Sequence, residues 1–402
     1  MNSNKTRNKL NRFASQIAPQ ASATRSLSFP DRYSRLAEHL NGEIVTGPAG
    51  AYCLVKTFYP SNFEFGSMRL VSPKFESVPL GAVIAQATDT VIETEKLLFV
   101  DTETTGLGGA GTVPFLIGCG SIVPGGFEIR QYLLPDYADE TELLEAVAAE
   151  IAERNCSVTY NGGPFDLPII RDRMIINRVA RELGFRHNLD LLPATRRLYK
   201  RRLRDCTLTN IEREIFLFFR EDDTPGFLIP AIYFDWLSSE NMAGLGGILE
   251  HNRWDILTMH FLLERLVEVA QTEGEVLDET DDLYSLQRLY QRRKDAGRVM
   301  KLCERLTEQE AVEEPDICLF QAMAFKRSGE WGRAVELWEL LSADNTRVGY
   351  EANIELAKYY EHRAKQPQQA IRAVELAAKN LPESRIAVRE LERRLNRLKS
   401  KL

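Results

Sequence analysis

Three apolar runs in close succession constrain this chain most. Leu97-Leu-Phe-Val-Asp101, Phe115–Val123 and Phe127–Leu134 each have the length and composition of a strand. The last two are joined only by the turn Pro124-Gly125-Gly126. Links this short make an antiparallel meander, because a parallel return needs a crossover of about a dozen residues or more. The pattern then changes. Ala138–Arg154 carries helical spacing at Leu143, Leu144, Val147, Ala148 and Ile151, and Cys156–Tyr160 is strand-like. Phe165–Leu183 is helical, Phe185–Leu192 supplies a fifth short strand, and Ile248–Ala270 is a long helix. Three strands followed by alternating helix and strand predict a mixed α/β sheet flanked by helices over residues 91–270.

The 402 residues are long for one domain, at about 100–200 residues each, and other stretches differ in character. Residues 1–30 hold Lys5, Arg7, Lys9, Arg12 and Arg25 with no acid, as expected of a disordered basic arm. Residues 31–90 read as a small β-rich N-terminal region, with Gly47, Pro48, Gly50, Pro60 and Gly66 marking turns. From Glu273 to Asp282 there are six acids and no base, as in a solvated acidic linker over 271–282. Residues 283–402 are almost wholly helical and carry a repeat. Tyr290, Phe325 and Tyr360 stand 35 apart, followed at regular offsets by Val299, Ala334 and Ala370, then Cys303, Trp338 and Val374. This all-α part resembles tetratricopeptide repeats, which implies a surface for a protein partner.

Apolar residues make up 44% of the chain and charged residues 27%, enough for a sizeable core. No stretch has the ~18 uninterrupted apolar residues of a membrane span, so no membrane partner is expected. The six cysteines are scattered without a CxxC pair, which argues against a disulfide scaffold or cysteine zinc site and for a cytoplasmic location. The net charge of −7 argues weakly against nucleic acid, but it is unevenly spread. Residues 171–204 carry eleven bases and three acids, a local excess of +8.

Four acids stand out by context. Asp101 ends a buried strand, and Glu103, two residues on, falls on the same face of an extended chain. Two carboxylates side by side need a cation, and Mg²⁺ or Mn²⁺ takes hard oxygen ligands. Asp166 opens a helix after the turn Asn161-Gly162-Gly163-Pro164, where an acid is also an ordinary helix-start choice. His251 and Asp255, four apart, share one helix face.

The ordered set Asp-x-Glu, Asn-x-x-x-Phe-Asp and His-x-x-x-Asp looks like the DEDD superfamily of RNase H-like 3′–5′ exonucleases. Phe99-Val-Asp-Thr-Glu-Thr-Thr-Gly-Leu, Phe115-Leu-Ile-Gly, Tyr160-Asn-Gly…Phe-Asp-Leu-Pro, Asp190-Leu-Leu…Arg196-Arg-Leu and His251-Asn…Asp255-Ile-Leu-Thr are similar to the bacterial YprB-like family. Phe63-Glu64-Phe65-Gly66 departs from that family's pattern, which has a His-Gly step. The resemblance implies an RNase H-like exonuclease domain that cuts single-stranded 3′ ends with two divalent ions, Mg²⁺ or Mn²⁺. Asp101, Glu103, Asp166 and Asp255 would be the metal ligands, with Asp101 bridging, and His251 the group that takes the water's proton. Thr102, Thr104 and Leu107 would line the terminal nucleotide, and Asn161 would contact substrate or fix its turn. The basic run, Arg171 and Arg197 included, would flank the strand. Asp190 stands near these acids or caps a helix. Two other readings stay open: a nonenzymatic nucleic-acid-binding adaptor and an RNase H-like endonuclease.

Overall fold

The computed structural model describes residues 29–71, 74–79, 81, 90–106, 109, 111–308, 314–380 and 385–400. The predicted basic arm over 1–30 falls almost wholly outside these residues.

Helix α1 (Phe29–Leu40) precedes strands β1 (Glu43–Gly47) and β2 (Gly50–Pro60). Two small ribbons follow: β3 (Glu64–Phe65) with β4 (Met68–Arg69), and β5 (Ser77–Pro79) with β6 (Val91–Glu93). The predicted meander is β7 (Leu97–Thr104), β8 (Pro114–Val123) and β9 (Gly126–Leu133). Helix α2 (Glu140–Ala152) leads to β10 (Cys156–Thr159), and α3 (Asp166–Ile176) to β11 (His187–Asp190). The sheet is mixed, in the order β1-β2-β9-β8-β7-β10-β11. Strands β7, β10 and β11 are parallel, and their neighbours on the β8 side are antiparallel. The N-terminal strands do not stand apart: β2 pairs with β9 along eight residues, so the 31–90 region supplies one edge of the central sheet.

Alternation along β7 sorts its side chains between two cores, as the period-2 pleat requires. Leu97 and Phe99 join Phe127, Val158 and Ile256 on one face; Leu98 and Val100 join Phe115, Leu143 and Val147 on the other. The first face is covered by the long helix α7 (Leu245–Gln271). Gly118 on β8 lets that helix approach. A Cβ there would lie 2.3 Å from Asn252 Oδ1 and 2.4 Å from Ile256 Cδ1. His260 is buried among the rings of Phe99 and Phe127, a core position.

Between β11 and α7 run α4 (Leu191–Tyr199), the short α5 (Leu208–Ile211), a π-helical turn over 212–216, and α6 (Ile229–Ser239). The C-terminal region is helical throughout its described residues, from α8 (Thr280–Arg292) and α9 (Ala296–Glu308) through α10 (Pro315–Ser328), α11 (Trp331–Leu341), α12 (Arg347–His362) and α13 (Pro367–Lys379) to α14 (Arg385–Lys399). Tyr290, Phe325, Ala334, Trp338 and Ala370, all at the repeat positions, are buried.

Two expectations are corrected. The helix opened by Asp166 ends at Ile176, not Leu183. Arg178 takes the left-handed conformation (φ 60°), and Val179 N–H donates to Met174 O at 2.9 Å, the bonding of a helix C-terminal turn. Arg178 and Arg181 therefore do not extend that helix. The acidic stretch is solvated only in part: Glu275, Asp278 and Glu279 are exposed, while other acids are engaged. Glu273 pairs with Arg298 and Lys301, and Asp282 is buried against Arg202 at 2.7 Å. Like charges in one stretch repel, and bases from neighbouring elements offset part of that repulsion.

Candidate active site

The C-terminal ends of the parallel strands bring the singled-out acids toward one place. Asp101 and Glu103 stand at the end of β7 and point to the α7 face. Asn252 of α7, itself fully buried, donates from Nδ2 to Asp101 Oδ2 at 2.8 Å. Its Oδ1 accepts from Gln131 Nε2 at 2.8 Å, so the amide that orients Asp101 is itself held from β9. Asp166 opens α3, and its Oδ1 accepts the Thr102 hydroxyl. Asn161 has φ 63°, and its N–H donates to Asp190 Oδ1 at 2.8 Å; the same oxygen caps α4 at Leu192 N–H, 3.1 Å. Asp190 thus fixes the turn after β10 and starts the next helix.

On α7, His251 Nδ1 lies 2.8 Å from Asp223 Oδ1, while Nε2 lies 3.7 Å from Asp255 Oδ2. Asp255 is engaged by Arg220, whose guanidinium is almost wholly buried. The same guanidinium is bidentate on Glu212, with Nε donating at 2.7 Å, and Glu212 also accepts the Thr258 hydroxyl. Trp254, beside Asp255, packs against Phe218 and Phe65.

Burial and mutual repulsion raise three of the four carboxyls. Asp101 is pushed well above the usual range by burial and then by Asp255, Asp166 and Glu103, with Asn252 opposing. Glu103 is raised by burial, Asp255, Asp166 and Asp223, with Arg220 opposing. Asp166 is raised chiefly by burial, against the Thr102 hydroxyl. The four acids therefore feel one another across the site. Among the described residues, no three His, Cys, Asp or Glu side chains are placed to hold a metal ion. Other donors engage these groups: Asn252 holds Asp101, Thr102 holds Asp166 and Arg220 holds Asp255. The donor set itself, four hard carboxylates under mutual repulsion, suits divalent cations.

The other singled-out residues scatter. Thr102 donates its hydroxyl to Asp166. Thr104 Oγ1 donates to Gly106 O at 2.7 Å and closes the strand end. Leu107 lies outside the described residues. Arg171 is exposed on α3 and pairs with Asp172 at 2.8 Å, and Arg197 is half-buried on α4. Arg201 and Arg202, from the basic run, face the C-terminal helices instead: Arg201 pairs with Asp281, Glu314 and Asp316, and Arg202 with Asp282. Sequence reasoning missed Asn252, Arg220, Glu212 and Asp223. For Asn252 a signal exists, since it lies on the inward α7 stripe with Ile248 and Ile256.

A model of the RNase_H superfamily matches residues 98–267, the segment that contains all these groups. The uncharacterized protein YprB of Bacillus subtilis is 34% identical over 283 residues, covering 69% of this chain and 68% of that protein. The family B DNA polymerase of the archaeon Pyrobaculum calidifontis aligns with a TM-score of 0.34 at 16% identity, over 70% of this chain and 38% of the polymerase. With identity at that level along most of both proteins, the chain belongs to the family of B. subtilis YprB and carries an RNase H-like domain.

Proposed function

We propose that this chain is a metal-dependent nuclease that removes nucleotides from the 3′ end of a nucleic-acid strand. The observation that carries the reading is the crowding of Asp101, Glu103 and Asp166, raised by burial and by neighbouring carboxylates, within a domain of the RNase_H superfamily. Asp101, Glu103, Asp166 and Asp255 would hold two divalent ions, Mg²⁺ or Mn²⁺. Such ions supply a water of lowered pKa and stabilise charge on the leaving oxygen. The chain's own groups do the rest. Asp223 beside Nδ1 of His251 favours the proton there, leaving Nε2, on the Asp255 side, to take a proton from water. Asn252 keeps Asp101 oriented, and Thr102 keeps Asp166 oriented. Asn161 and Arg171 would meet the substrate. Residues 271–282 and 283–402 form an acidic connection and a tetratricopeptide-like unit for a protein partner, and the protein works in the cytoplasm, where its six free, buried cysteines stay reduced.

The Arg220–Asp255 ion pair favours a second reading, a nonenzymatic nucleic-acid-binding adaptor, because the cationic side chain competes for a metal ligand. Digestion of 5′-labelled single-stranded DNA and RNA with Mg²⁺ or Mn²⁺ separates the two. A ladder shortening from the 3′ end is expected, with rates at least ~100-fold lower for Asp101→Ala and Asp255→Ala. Binding without cleavage of either polymer supports the adaptor and overturns the nuclease.

A further inference from the structure

An arginine-lined cavity lies where α4 of the sheet region meets α8 of the helical tail. Its open volume is about 350 Å³, and its lining includes Arg196, Arg197, Arg201, Arg288 and Arg292 around Tyr284. None of its lining residues is acidic. Arg201 is committed to Asp281, Glu314 and Asp316. Arg201 and Arg288 lie 5.0 and 5.8 Å from the centre of the Tyr284 ring, which covers that ring and leaves guanidinium edges as the cavity's polar surface. Burial and the charges of Arg293 and Arg292 lower the Arg197 pKa, the sign of like charges held together. Two separate elements converge on this cluster, with Arg196 and Arg197 from α4, Arg201 just beyond it, and Arg288 and Arg292 from α8.

We propose that this cavity binds consecutive phosphates of a nucleic-acid strand, so that the helical tail forms part of the substrate path. The inference rests on the nuclease reading for its ligand. Guanidinium groups bind phosphate oxygens bidentately, and several in one cavity suit a polyanion better than a single small ion. The position fits a strand leaving the candidate site. Helix α4 starts at Asp190, which fixes Asn161, and Arg196 and Arg197 lie about 9–10 Å farther along its axis at 1.5 Å per residue. Arg196 also lies within electrostatic reach of Tyr160 and Cys206, beside the Asn161 turn. Contacts of this type read the backbone and not the bases, so binding is independent of sequence.

The test is the affinity of the full chain for a short fluorescent single strand in EDTA, where no cleavage occurs, across a range of salt. The variant Arg288→Gln/Arg292→Gln changes two exposed residues of α8 away from the candidate acids. It is expected to weaken binding about tenfold and to lower the salt slope by about 1.4, at ~0.7 per phosphate contact. The Arg288→Lys/Arg292→Lys protein should retain most of the slope. Arg196→Gln, on α4, serves as an independent variant should the double change disturb folding. Unchanged affinity and slope in these variants overturn the proposal. So does displacement of the strand by poly-glutamate as effective as by unlabelled strand, which assigns the cavity to an acidic protein. If the wild type cleaves but is indifferent to the arginines, this proposal fails and the nuclease reading stands. If it binds through them but cleaves with neither metal, the reverse holds.

Discussion

Asp101 is enclosed by burial, three other carboxylates and one amide donor, so its charge is costly in the protein without metal. A carboxyl raised in the folded state keeps a proton that the unfolded chain has already released. Its contribution is therefore most favourable at low pH and is lost as pH climbs through the raised value. In EDTA the protein is expected to lose thermal stability between mildly acidic and neutral pH. Asp101→Asn should flatten that slope and gain about 0.5–2 kcal/mol near neutrality while losing activity, the usual exchange at strained sites. A less stable Asn variant in thermal unfolding would show that crowding is not the governing force. The same residues show what the sequence could convey. Asp101 and Glu103 were legible because a buried run ends on them. Arg220 and Glu212 were not, because their pairing with Asp255 and Thr258 spans 35 and 46 residues and nothing local marks a charge that will be buried. Arg201 and Arg202 misled for the same reason: their acids lie 80 residues on.

Elements were more legible than their ends. The meander and the long helix follow from apolar spacing alone. Helix α3 stops seven residues short of its apolar pattern because Arg178 adopts a left-handed turn and Asn177 binds back to Arg173 O at 3.0 Å and to Glu140. The position of α7 on the sheet depends on a residue without a side chain, Gly118, paired in register with Asp101. Gly118→Ala would place a methyl carbon 2.3 Å from Asn252 Oδ1, an atom locked by Gln131, and 2.4 Å from Ile256 Cδ1. The helix must then move off the sheet, at about 1–3 kcal/mol for overpacking of this kind. Because Asn252 orients Asp101, nuclease activity should fall further than the stability loss explains. Denaturant unfolding and cleavage rates on one preparation check this, and unchanged values for both would refute the tight approach.

At the scale of the molecule, sheet and tail share one core: Leu266 and Val269 of α7 continue into Leu277, Leu283 and Leu286. The charges beside that seam hold it in register. Asp282 is 2% exposed, and Arg202 donates to it from Nε at 3.0 Å and from Nη2 at 2.7 Å. Burial pushes the Asp282 carboxyl up and Arg202 offsets that only in part, so the pair is of little net worth. Removing only the cation leaves a buried, uncompensated carboxylate. Arg202→Met is therefore expected to cost about 3 kcal/mol, the low end for broken buried pairs because Arg202 itself is partly exposed. Asp282→Leu on top of it removes the stranded charge among Leu283, Leu286 and Tyr199, and should recover most of that loss. A double-mutant cycle by urea unfolding reads the coupling directly. Equal losses for Arg202→Met with and without Asp282→Leu would mean that the apolar seam alone docks the tail and that the arginine's role is packing. The expected recovery would instead assign this part of the basic run to holding sheet and tail together, and the proposed phosphate contacts to the neighbouring Arg196, Arg288 and Arg292.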